Sequence, residues 1–359
     1  MPKRPALAAL PPLLASVALL AGCATLPPPR LADCRTAPRP TIQLSEDGRV
    51  ASTTLDVLTF NLEGLAWPAR RDRAPALRAI SRALSDLQAE GRAPDVVLVQ
   101  EMFSRAALRA VVDTRYANIV SGPSRTQREA FPDAARMSGP FRWDKGEIGI
   151  HLVGGGLAAL SRYPIVTYQS EPFGKRRCAG YDCLSNKGML HIRLSMAGVP
   201  EPIDLFNTHM NAQGASGVGR ERHSLAHRLQ VRELAHFIEA RATPGTPTIL
   251  GGDFNMRRSA LRFARFRDAH PLTLVHQYCG EQPHVCDVRM SWDGDEPWMD
   301  TQDLQLFSSG KTVTVRPIRV EAVFDGSPGS PRLSDHDGFR VTYQLSWPTE
   351  ASQHESCSP

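Results

Sequence analysis

The stretch Thr248-Ile-Leu-Gly-Gly-Asp-Phe-Asn255 joins a short apolar run to a carboxylate and an amide. The apolar run is typical of a buried β-strand, and the two polar side chains fall where that strand ends. Functional residues gather on loops that a rigid scaffold holds in place. Asp253 and Asn255 are therefore candidate site residues, and the same arrangement recurs along the chain.

Four further segments of β-rich sequence end in residues suited to phosphate or metal chemistry, namely Asn61, Glu101, Asn207-Thr-His209 and Ser334-Asp-His336. A single Glu after an apolar strand, or a single His within one, is more often structural than functional. Five such ends in one chain indicate a common site on a sheet scaffold. We expect their side chains to converge around one cation and one phosphate group.

Short apolar runs alternate with helical patterns over most of the chain. Helices are predicted at 73–90 and 220–241, and apolar residues of the second recur at i, i+3, i+4 and i+7. This mixture favours an α/β fold of two packed sheets flanked by helices, with residues 52–347 as one domain. Strands are predicted at 53–61, 95–101, 157–161, 190–194, 203–207, 248–251, 304–308, 313–315, 319–324 and 338–345.

Six stretches together resemble the endonuclease/exonuclease/phosphatase superfamily, in the order in which that family has them. They are Thr59-Phe-Asn-Leu62, Val99-Gln-Glu101, Ser161-Arg-Tyr-Pro-Ile165, Asn207-Thr-His209, Gly252-Asp-Phe-Asn255 and Ser334-Asp-His336. The resemblance covers nearly the whole domain. It implies a four-layer α/β/β/α sandwich of two packed mixed sheets flanked by helices, with a phosphoric ester hydrolase site at one edge of the sheets.

The resemblance implies a divalent metal, Mg²⁺, with Mn²⁺ or Co²⁺ as possible substitutes. Mg²⁺ prefers hard oxygen ligands and keeps several waters, so one or two side-chain oxygens suffice. Glu101 is the expected ligand, with Asn61 beside it, and Asp335 is a candidate second-metal ligand. The metal would polarise the phosphoryl oxygen and offset the negative charge that builds on the leaving oxygen.

His336 is the expected general base, because imidazole titrates near neutral pH. Asp303 lies where the family places the carboxylate that pairs with this histidine, although Leu304 departs from the aromatic or His that usually follows. Asp300 is the alternative if the register differs.

The remaining predicted site residues contact the phosphate. Asp253 would position the water or the leaving group, and Asn255 would donate a hydrogen bond to the phosphate. His209 would stabilise the phosphoryl oxygens or assist the leaving group. Lys187 would bind a phosphate oxygen, since an ammonium is a compact charge; otherwise it is a surface lysine in a turn.

Several stretches resemble the neutral sphingomyelinase branch. They are the glycine-led segment 154–165, Asn186-Lys-Gly188 and Asn207-Thr-His-Met-Asn-Ala212. In that branch an Asp shortly before the lysine takes part in a switch, and Asp182 lies in a similar place. We therefore expect a sphingomyelinase-like phospholipid phosphodiesterase with a phospholipid or other phosphodiester as substrate.

One feature disagrees with that branch. Secreted bacterial sphingomyelinases carry an aromatic hairpin before the Ser-Asp-His turn, whereas residues 311–333 are short and contain one aromatic residue, Phe324. Trp292 and Trp298 either contact lipid instead or pack within the domain.

Three other functions stay open. The first is a nuclease, in which arginines of helix 220–241 would bind nucleic acid; interleaved glutamates favour a solvated face instead. His223 and His227 in that helix have metal-binding spacing but no evident third ligand. The second is a phosphoinositide phosphatase. The third is a non-catalytic lipid-binding lipoprotein, which would require the loss of an acid, base or ligand that is present.

The amino terminus predicts export and lipidation. Lys3 and Arg4 precede an apolar stretch too short to span a bilayer, and Leu20-Ala-Gly-Cys23 resembles the lipobox of bacterial lipoproteins. We expect a signal peptide at 1–22, acylated Cys23, an extended tether at 23–51 and a flexible tail at 348–359. The expected location is the cell envelope, anchored to the outer membrane on its periplasmic or surface face, without an obligatory protein partner.

Six cysteines remain beside Cys23, which suggests disulfides in an exported chain. The close pairs Cys178/Cys183 and Cys279/Cys286 could each close a loop, and Cys34 could join Cys357. The net charge of +5 is mild and does not demand a nucleic acid partner.

Overall fold

The computed structural model describes residues 26–66, 69–130, 135–282, 284–291 and 296–351. The predicted signal peptide, Cys23, Trp292 and the tail from residue 352 onward lie outside the described residues. In the described ranges, no helix is both long and apolar enough to cross a membrane.

The described strands form two mixed sheets. One sheet has the order β11-β13-β14-β2-β3-β5-β4, with β1 paired to β2, and the other has the order β10-β12-β9-β8-β7-β6. The strands are β1 (Gln43–Leu44), β2 (Val50–Asn61), β3 (Val96–Gln100), β4 (Asn118–Ser121), β5 (Ala158–Ser161), β6 (Ile165–Pro172), β7 (Gly188–Leu194), β8 (Ile203–His209), β9 (Thr248–Asp253), β10 (Thr273–Leu274), β11 (Asp287–Arg289), β12 (Asp303–Ser308), β13 (Thr314–Val323) and β14 (Gly338–Pro348).

Helices cover the outer face of each sheet. Helices α1 and α2 pack on the first sheet, and α3 and α4 pack on the second. The predicted four-layer α/β/β/α sandwich is therefore confirmed. The α-helices are α1 (Arg73–Ala89), α2 (Arg105–Val112), α3 (Arg220–Arg241), α4 (Ala260–Ala269) and α5 (Val275–Glu281).

Alternating side chains of β2 explain how one strand serves two layers. Leu55 and Val57 lie in the core between the sheets, whereas Leu58 and Phe60 lie in the core beneath α1 and α2. Successive side chains of a strand point to opposite faces, so apolar residues at adjacent positions of one strand contribute to both cores.

Buried amides join the two sheets. Gln100 of β3 donates from Nε2 to Asn207 Oδ1 of β8 at 2.7 Å, and Asn207 Nδ2 donates to Val99 O at 2.9 Å. Asn207 therefore has a structural role, although it belongs to the same motif as His209. Buried amides are tolerated where, as here, they find hydrogen-bond partners.

Five observed strands, β1, β4, β6, β10 and β11, were not predicted, and the predicted boundaries differ most at β13. The predicted strands 313–315 and 319–324 are one strand, with an irregularity between Pro317 and Arg319. Proline has no N–H to donate to the ladder, so pairing is interrupted there while the chain direction continues.

Part of the predicted tether lies against the domain. Arg30 N donates to Ile119 O at 2.9 Å, and the Arg30 guanidinium donates to the carbonyl oxygens of Thr114, Tyr116 and Val112. Strand β2 already begins at Val50. The segment is thus attached to the domain by main-chain hydrogen bonds at Arg30 and again at β1, which pairs with β2. Its sequence composition did not indicate these contacts.

Two of the predicted disulfides are confirmed, Cys178–Cys183 and Cys279–Cys286. Cys34 is also disulfide-bonded. Its expected partner Cys357 lies outside the described residues, so that pairing stays a prediction.

Candidate active site

The parallel strand pairs bring four predicted site residues to one edge of the two sheets. β2 and β3 run parallel with Asn61 opposite Gln100, so Asn61 and Glu101 leave the first sheet together. β8 and β9 run parallel in the second sheet, with His209 opposite Asp253. The carboxyl ends of parallel neighbours share one edge, which is why residues far apart in sequence meet here.

Antiparallel strands add another carboxylate and a histidine to the same edge. β12 begins at Asp303, which is paired with Asp253 of β9. β14 runs antiparallel to β2 with Phe339 opposite Thr59, so the preceding His336 lies beside the end of β2.

Asn61 connects the two sheets at the centre of the site. Its Nδ2 donates to Glu101 Oε1 at 3.2 Å and to Asp253 Oδ2 at 3.0 Å. Its Oδ1 accepts from Glu63 N at 3.0 Å. In this arrangement Asn61 orients both carboxylates through its nitrogen, while its oxygen, the predicted ligand atom, faces Glu63.

Glu101 is held in an unusual backbone conformation. Its φ of 60° lies in the left-handed region, as does the φ of 52° at Asn255. Non-glycine residues in this region cluster at functional sites because the surrounding structure holds them there. Burial raises the pKa of the Glu101 carboxyl, while the positive charge of Lys187 opposes that shift.

Asp253 is fully enclosed between the sheets. Its Oδ1 accepts from Asn255 N at 3.0 Å, and its Oδ2 lies 3.4 Å from His209 Nε2. Burial raises the pKa of Asp253 to about 7, and the negative charges of Asp303 and Glu101 act in the same direction.

His336 and Asp303 form a close ion pair at the site. Asp303 Oδ2 lies 2.5 Å from His336 Nδ1. Burial alone would lower the pKa of His336, but the charge of Asp303 and this hydrogen bond outweigh burial and raise it to about 11. Asp300, the alternative partner, instead pairs with Arg258 at an exposed position.

Ser334 fixes the turn that carries His336. Ser334 Oγ donates to Asn61 O at 2.7 Å and accepts from His336 N at 3.2 Å. The Ser-Asp-His motif therefore depends on its serine to attach the turn to the end of β2.

Lys187 is a buried site residue and not a surface lysine. Its Nζ lies 2.8 Å from His209 Nε2, 2.5 Å from Asp182 Oδ1 and 3.2 Å from Met210 O. Asp182 Oδ2 also accepts from Ala212 N at 2.7 Å. Burial, and next the charge of Lys187, lower the pKa of His209 well below its usual value, so this imidazole is neutral.

Asn255 lies at the floor of the site, where its Nδ2 donates to Met210 O at 3.1 Å. A buried arginine supports this loop. Arg262 Nη1 donates to Asn211 O at 2.8 Å and to Asn255 O at 2.7 Å. A buried cation that satisfies several carbonyl oxygens fixes their positions, since each would otherwise lose its hydrogen bonds.

Asp335 lies at the exposed rim of the site. Its Oδ2 accepts from Arg70 Nη2 at 3.2 Å, and its backbone N donates to Glu63 Oε2 at 3.1 Å. Glu63 also pairs with Arg70 at 2.9 Å and with Arg73 at 3.3 Å. The ion pairs of Glu63 thus hold the rim beside the predicted second-metal ligand.

Sequence reasoning missed three residues that support the site. Glu63 follows Asn61 by two positions and could have been noticed by its spacing. Gln302, whose Nε2 lies 3.4 Å from His336 Nε2, and Arg262 have no sequence signal, because their partners come from distant segments.

Three other candidates contribute to packing instead. His227 Nε2 contacts Phe254 O at 3.0 Å, and His223 Nδ1 contacts Arg262 Nη2 at 2.8 Å, so both histidines of α3 are used within the fold. Trp298 is partly buried against the core of the second sheet and lines an apolar cavity of about 280 Å³ there.

The donor set fits a hard divalent cation. In the described ranges, no three His, Cys, Asp or Glu side chains form a complete metal cluster, but Mg²⁺ needs only one or two side-chain oxygens. Glu101 accepts a hydrogen bond from Asn61 and carries a raised pKa. A cation held by Glu101 would offset the crowded negative charge and lower the pKa of His336 toward neutrality. The residues that share this charge are Glu101, Asp253, Asp303 and Asp335.

A family model described as Endonuclease/Exonuclease/phosphatase family matches residues 58–336, from within β2 to His336. The chain belongs to this family. The match covers most of the chain and spans the predicted site residues from Asn61 to His336. It confirms the resemblance inferred from the motifs.

Solved structures share the fold of this endonuclease/exonuclease/phosphatase family member at low identity. A mutant beta toxin from Staphylococcus aureus with bound magnesium ions has a TM-score of 0.55 and 17% identity, over 80% of this chain and 99% of that one. Sphingomyelinase C from Streptomyces griseocarneus has a TM-score of 0.55 and 20% identity, over 80% and 99%. TDP2 from D. rerio, complexed with a single-strand DNA product, has a TM-score of 0.50 and 17% identity, over 81% and 98%.

These structural neighbours include a protein named as a sphingomyelinase and one bound to DNA, so they show the fold and do not identify the substrate of this chain. No curated protein sequence matches the chain significantly.

Proposed function

We propose that the chain is a metal-dependent phosphodiesterase that acts on a phospholipid, in the manner of a sphingomyelinase. The observation that carries the proposal is the buried Lys187, held between Asp182 and His209. The Lys-Gly element and the preceding Asp are the features by which the sequence resembles the sphingomyelinase branch. Both lie at the site and not on the surface.

The side chains support hydrolysis by an activated water. His336 would accept the proton of the attacking water, with Asp303 holding the imidazole and stabilising its charged form. Asn255 and Lys187 would donate hydrogen bonds to the phosphate, and Asp253 would orient the water or the leaving oxygen. A divalent cation held by Glu101 would supply Lewis-acid polarisation of the phosphoryl group and stabilise the leaving oxygen.

The envelope location is part of the same proposal. The export signal and the lipobox ending at Cys23 would tether the enzyme to the outer membrane, where its substrate lies in or near a lipid surface. Labelling with a radioactive fatty acid tests this, because a Cys23→Ser chain should remain unlabelled.

The substrate test uses the chain without residues 1–23, which retains every described helix and strand. Sphingomyelin, duplex DNA and a phosphoinositide are each offered with Mg²⁺ and with a chelator. We expect metal-dependent cleavage of sphingomyelin, which His336→Ala reduces by roughly a hundredfold or more while the circular dichroism spectrum is retained. Metal-dependent cleavage of DNA alone would reject the lipid reading, and a fully active His336→Ala chain would reject the general base.

Lys187→Met tests the group that carries the proposal. Lipid hydrolysis should fall by at least about tenfold, because a charge-assisted contact to phosphate is removed. Lys311→Met, at an exposed lysine after the end of β12 that lies away from the site, is the matched control and should remain fully active.

A further inference from the structure

Five large apolar side chains are exposed on two neighbouring loops. They are Phe141 at 45%, Trp143 at 76%, Ile148 at 46%, Ile150 at 61% and Tyr181 at 47% relative exposure. Scattered apolar side chains are normal on protein surfaces, but a contiguous group of this size marks an interaction surface. Residues 141–150 together with Tyr181 are called the apolar rim below.

The two loops of the apolar rim are packed against each other. A Cβ added at Gly146 would lie 3.2 Å from Tyr181 Cα and 3.1 Å from Leu184 Cγ, so no side chain fits between them. Leu152 N donates to Leu184 O at 2.7 Å. The two loops that carry the exposed apolar side chains are therefore in direct contact.

A buried carboxylate holds the backbone of the apolar rim in place. Glu147 Oε2 accepts from Arg142 N at 2.9 Å, and its Oε1 accepts from Gly180 N at 2.9 Å and from Arg222 Nε at 2.6 Å. These contacts join residues 142–147, the loop closed by the Cys178–Cys183 disulfide and helix α3. The exposed aromatic side chains are thus presented from an anchored backbone.

The apolar rim lies at the same sheet edge as the site. Most of the apolar rim belongs to the connection between β4 and β5. This connection begins after Ser121 and ends before Ala158, and these two residues are paired with each other. Ala158 is also paired with Val99 of β3, and Glu101 follows two positions after Val99. Tyr181 directly precedes Asp182, the ion-pair partner of Lys187.

The charges around the apolar rim favour a phosphate-bearing surface. Lys145, Lys175 and Arg176 lie next to the apolar side chains, and the Arg176 guanidinium is 4.3 Å from the Phe141 ring centroid. The charge of Arg142 is offset by Asp144, 3.2 Å away, so these three cations carry the positive charge of this surface. Aromatic side chains combined with lysine and arginine suit the boundary between lipid head groups and acyl chains. There the apolar part of each side chain contacts acyl chains, and the polar or charged end contacts head groups and water.

We infer that the apolar rim docks the chain on a phospholipid bilayer, with Phe141 and Trp143 inserted among the lipids and the site facing the head groups. The inference rests on the proposed phospholipid substrate. It assigns the docking role to a segment before β5. This segment is far in sequence from residues 311–333, which stand where secreted bacterial sphingomyelinases carry their aromatic hairpin.

Vesicle binding tests the inference with the chain lacking residues 1–23, so that no acyl chain contributes. Vesicles of phosphatidylcholine with a minor fraction of phosphatidylglycerol are sedimented with the protein. We expect binding that is weakened by at least about tenfold in Phe141→Ser/Trp143→Ser, since each aromatic side chain loses its apolar burial. Leu44→Ser is the matched control, because Leu44 is 65% exposed at the opposite end of β2 and should not affect binding.

Hydrolysis of a small soluble phosphodiester, bis(p-nitrophenyl) phosphate, separates docking from chemistry and should be equal in all three chains. If the chain cleaves only DNA but still binds vesicles through Phe141 and Trp143, the proposed substrate fails and the docking surface stands. Equal sedimentation of the double variant and the unchanged chain would overturn the inference. So would a dimer in solution that the double variant dissociates, without vesicle binding.

Discussion

At the scale of single residues, burial separates the two histidines of the site. His209 is enclosed next to Lys187, and both burial and that charge lower its pKa and keep it neutral. For His336, burial is outweighed by the charge of Asp303, which raises its pKa. Groups whose environments shift their pKa values apart can take different chemical roles at one pH. The neutral imidazole suits hydrogen bonding to phosphate, and the paired imidazole suits proton transfer.

A third histidine tests the same physics away from the site. Burial lowers the pKa of His276 to about 3, and its ring is stacked on Phe339 with centroids 4.4 Å apart. A folded pKa below the unfolded value means that the unfolded chain takes up the proton first. The contribution of the neutral His276 to the free energy of unfolding is therefore present above pH 6.5 and is lost as the pH falls from 6.5 toward 3.

His276→Phe should remove this dependence. Between pH 7.5 and pH 5.0, the free energy of unfolding of the unchanged chain should fall relative to the variant by about 2 kcal/mol. Urea denaturation at both pH values measures this difference. Equal pH slopes for the two chains would contradict a buried neutral imidazole.

At the scale of elements, a short loop closed by a disulfide carries a site residue. Cys178 and Cys183 are five positions apart and enclose Asp182, which pairs with Lys187 at 2.5 Å. The second disulfide, Cys279–Cys286, closes a loop after α5 that holds none of the predicted site residues. The first loop thus connects the apolar rim to Lys187.

Replacing each pair by serine separates stability from site geometry. Both Cys178→Ser/Cys183→Ser and Cys279→Ser/Cys286→Ser should lose about 2 kcal/mol of unfolding free energy, as expected for short closed loops. Lipid hydrolysis at a temperature where both remain folded should fall only in the first variant, because Asp182 no longer holds Lys187. Equal activity losses would show that the first disulfide acts through stability alone.

At the scale of the whole molecule, the site exists only where the two sheets meet. Asn61 belongs to the first sheet, and it donates to Asp253 of the second. Separation of the sheets would therefore dismantle the proposed cation site, and cation binding there should stabilise the entire fold. This coupling can be measured without any substrate.

Mg²⁺ at a hundred times its dissociation constant should raise the unfolding free energy by about 2.7 kcal/mol, seen as a rise in melting temperature of several degrees. Glu101→Gln should abolish the rise. Glu46→Gln, at an exposed position between β1 and β2, should leave it unchanged. A rise that persists in Glu101→Gln would place the cation elsewhere.

The sequence alone was enough to predict the family, the two-sheet sandwich, most strands and two disulfides. These features depend on periodicity and on motif order, which are local properties of a chain. Asp253 and His336 could be proposed because each belongs to a recognisable motif.

Only the tertiary structure decided which groups touch. The pairing of β12 with β9 placed Asp303 rather than Asp300 beside His336, and the meeting of the sheets turned the Asn61 nitrogen toward two carboxylates. Arg262 and the apolar rim were likewise invisible in the sequence. The physical reason is that strand register, burial and exposure result from contacts between distant segments, and no local pattern encodes them.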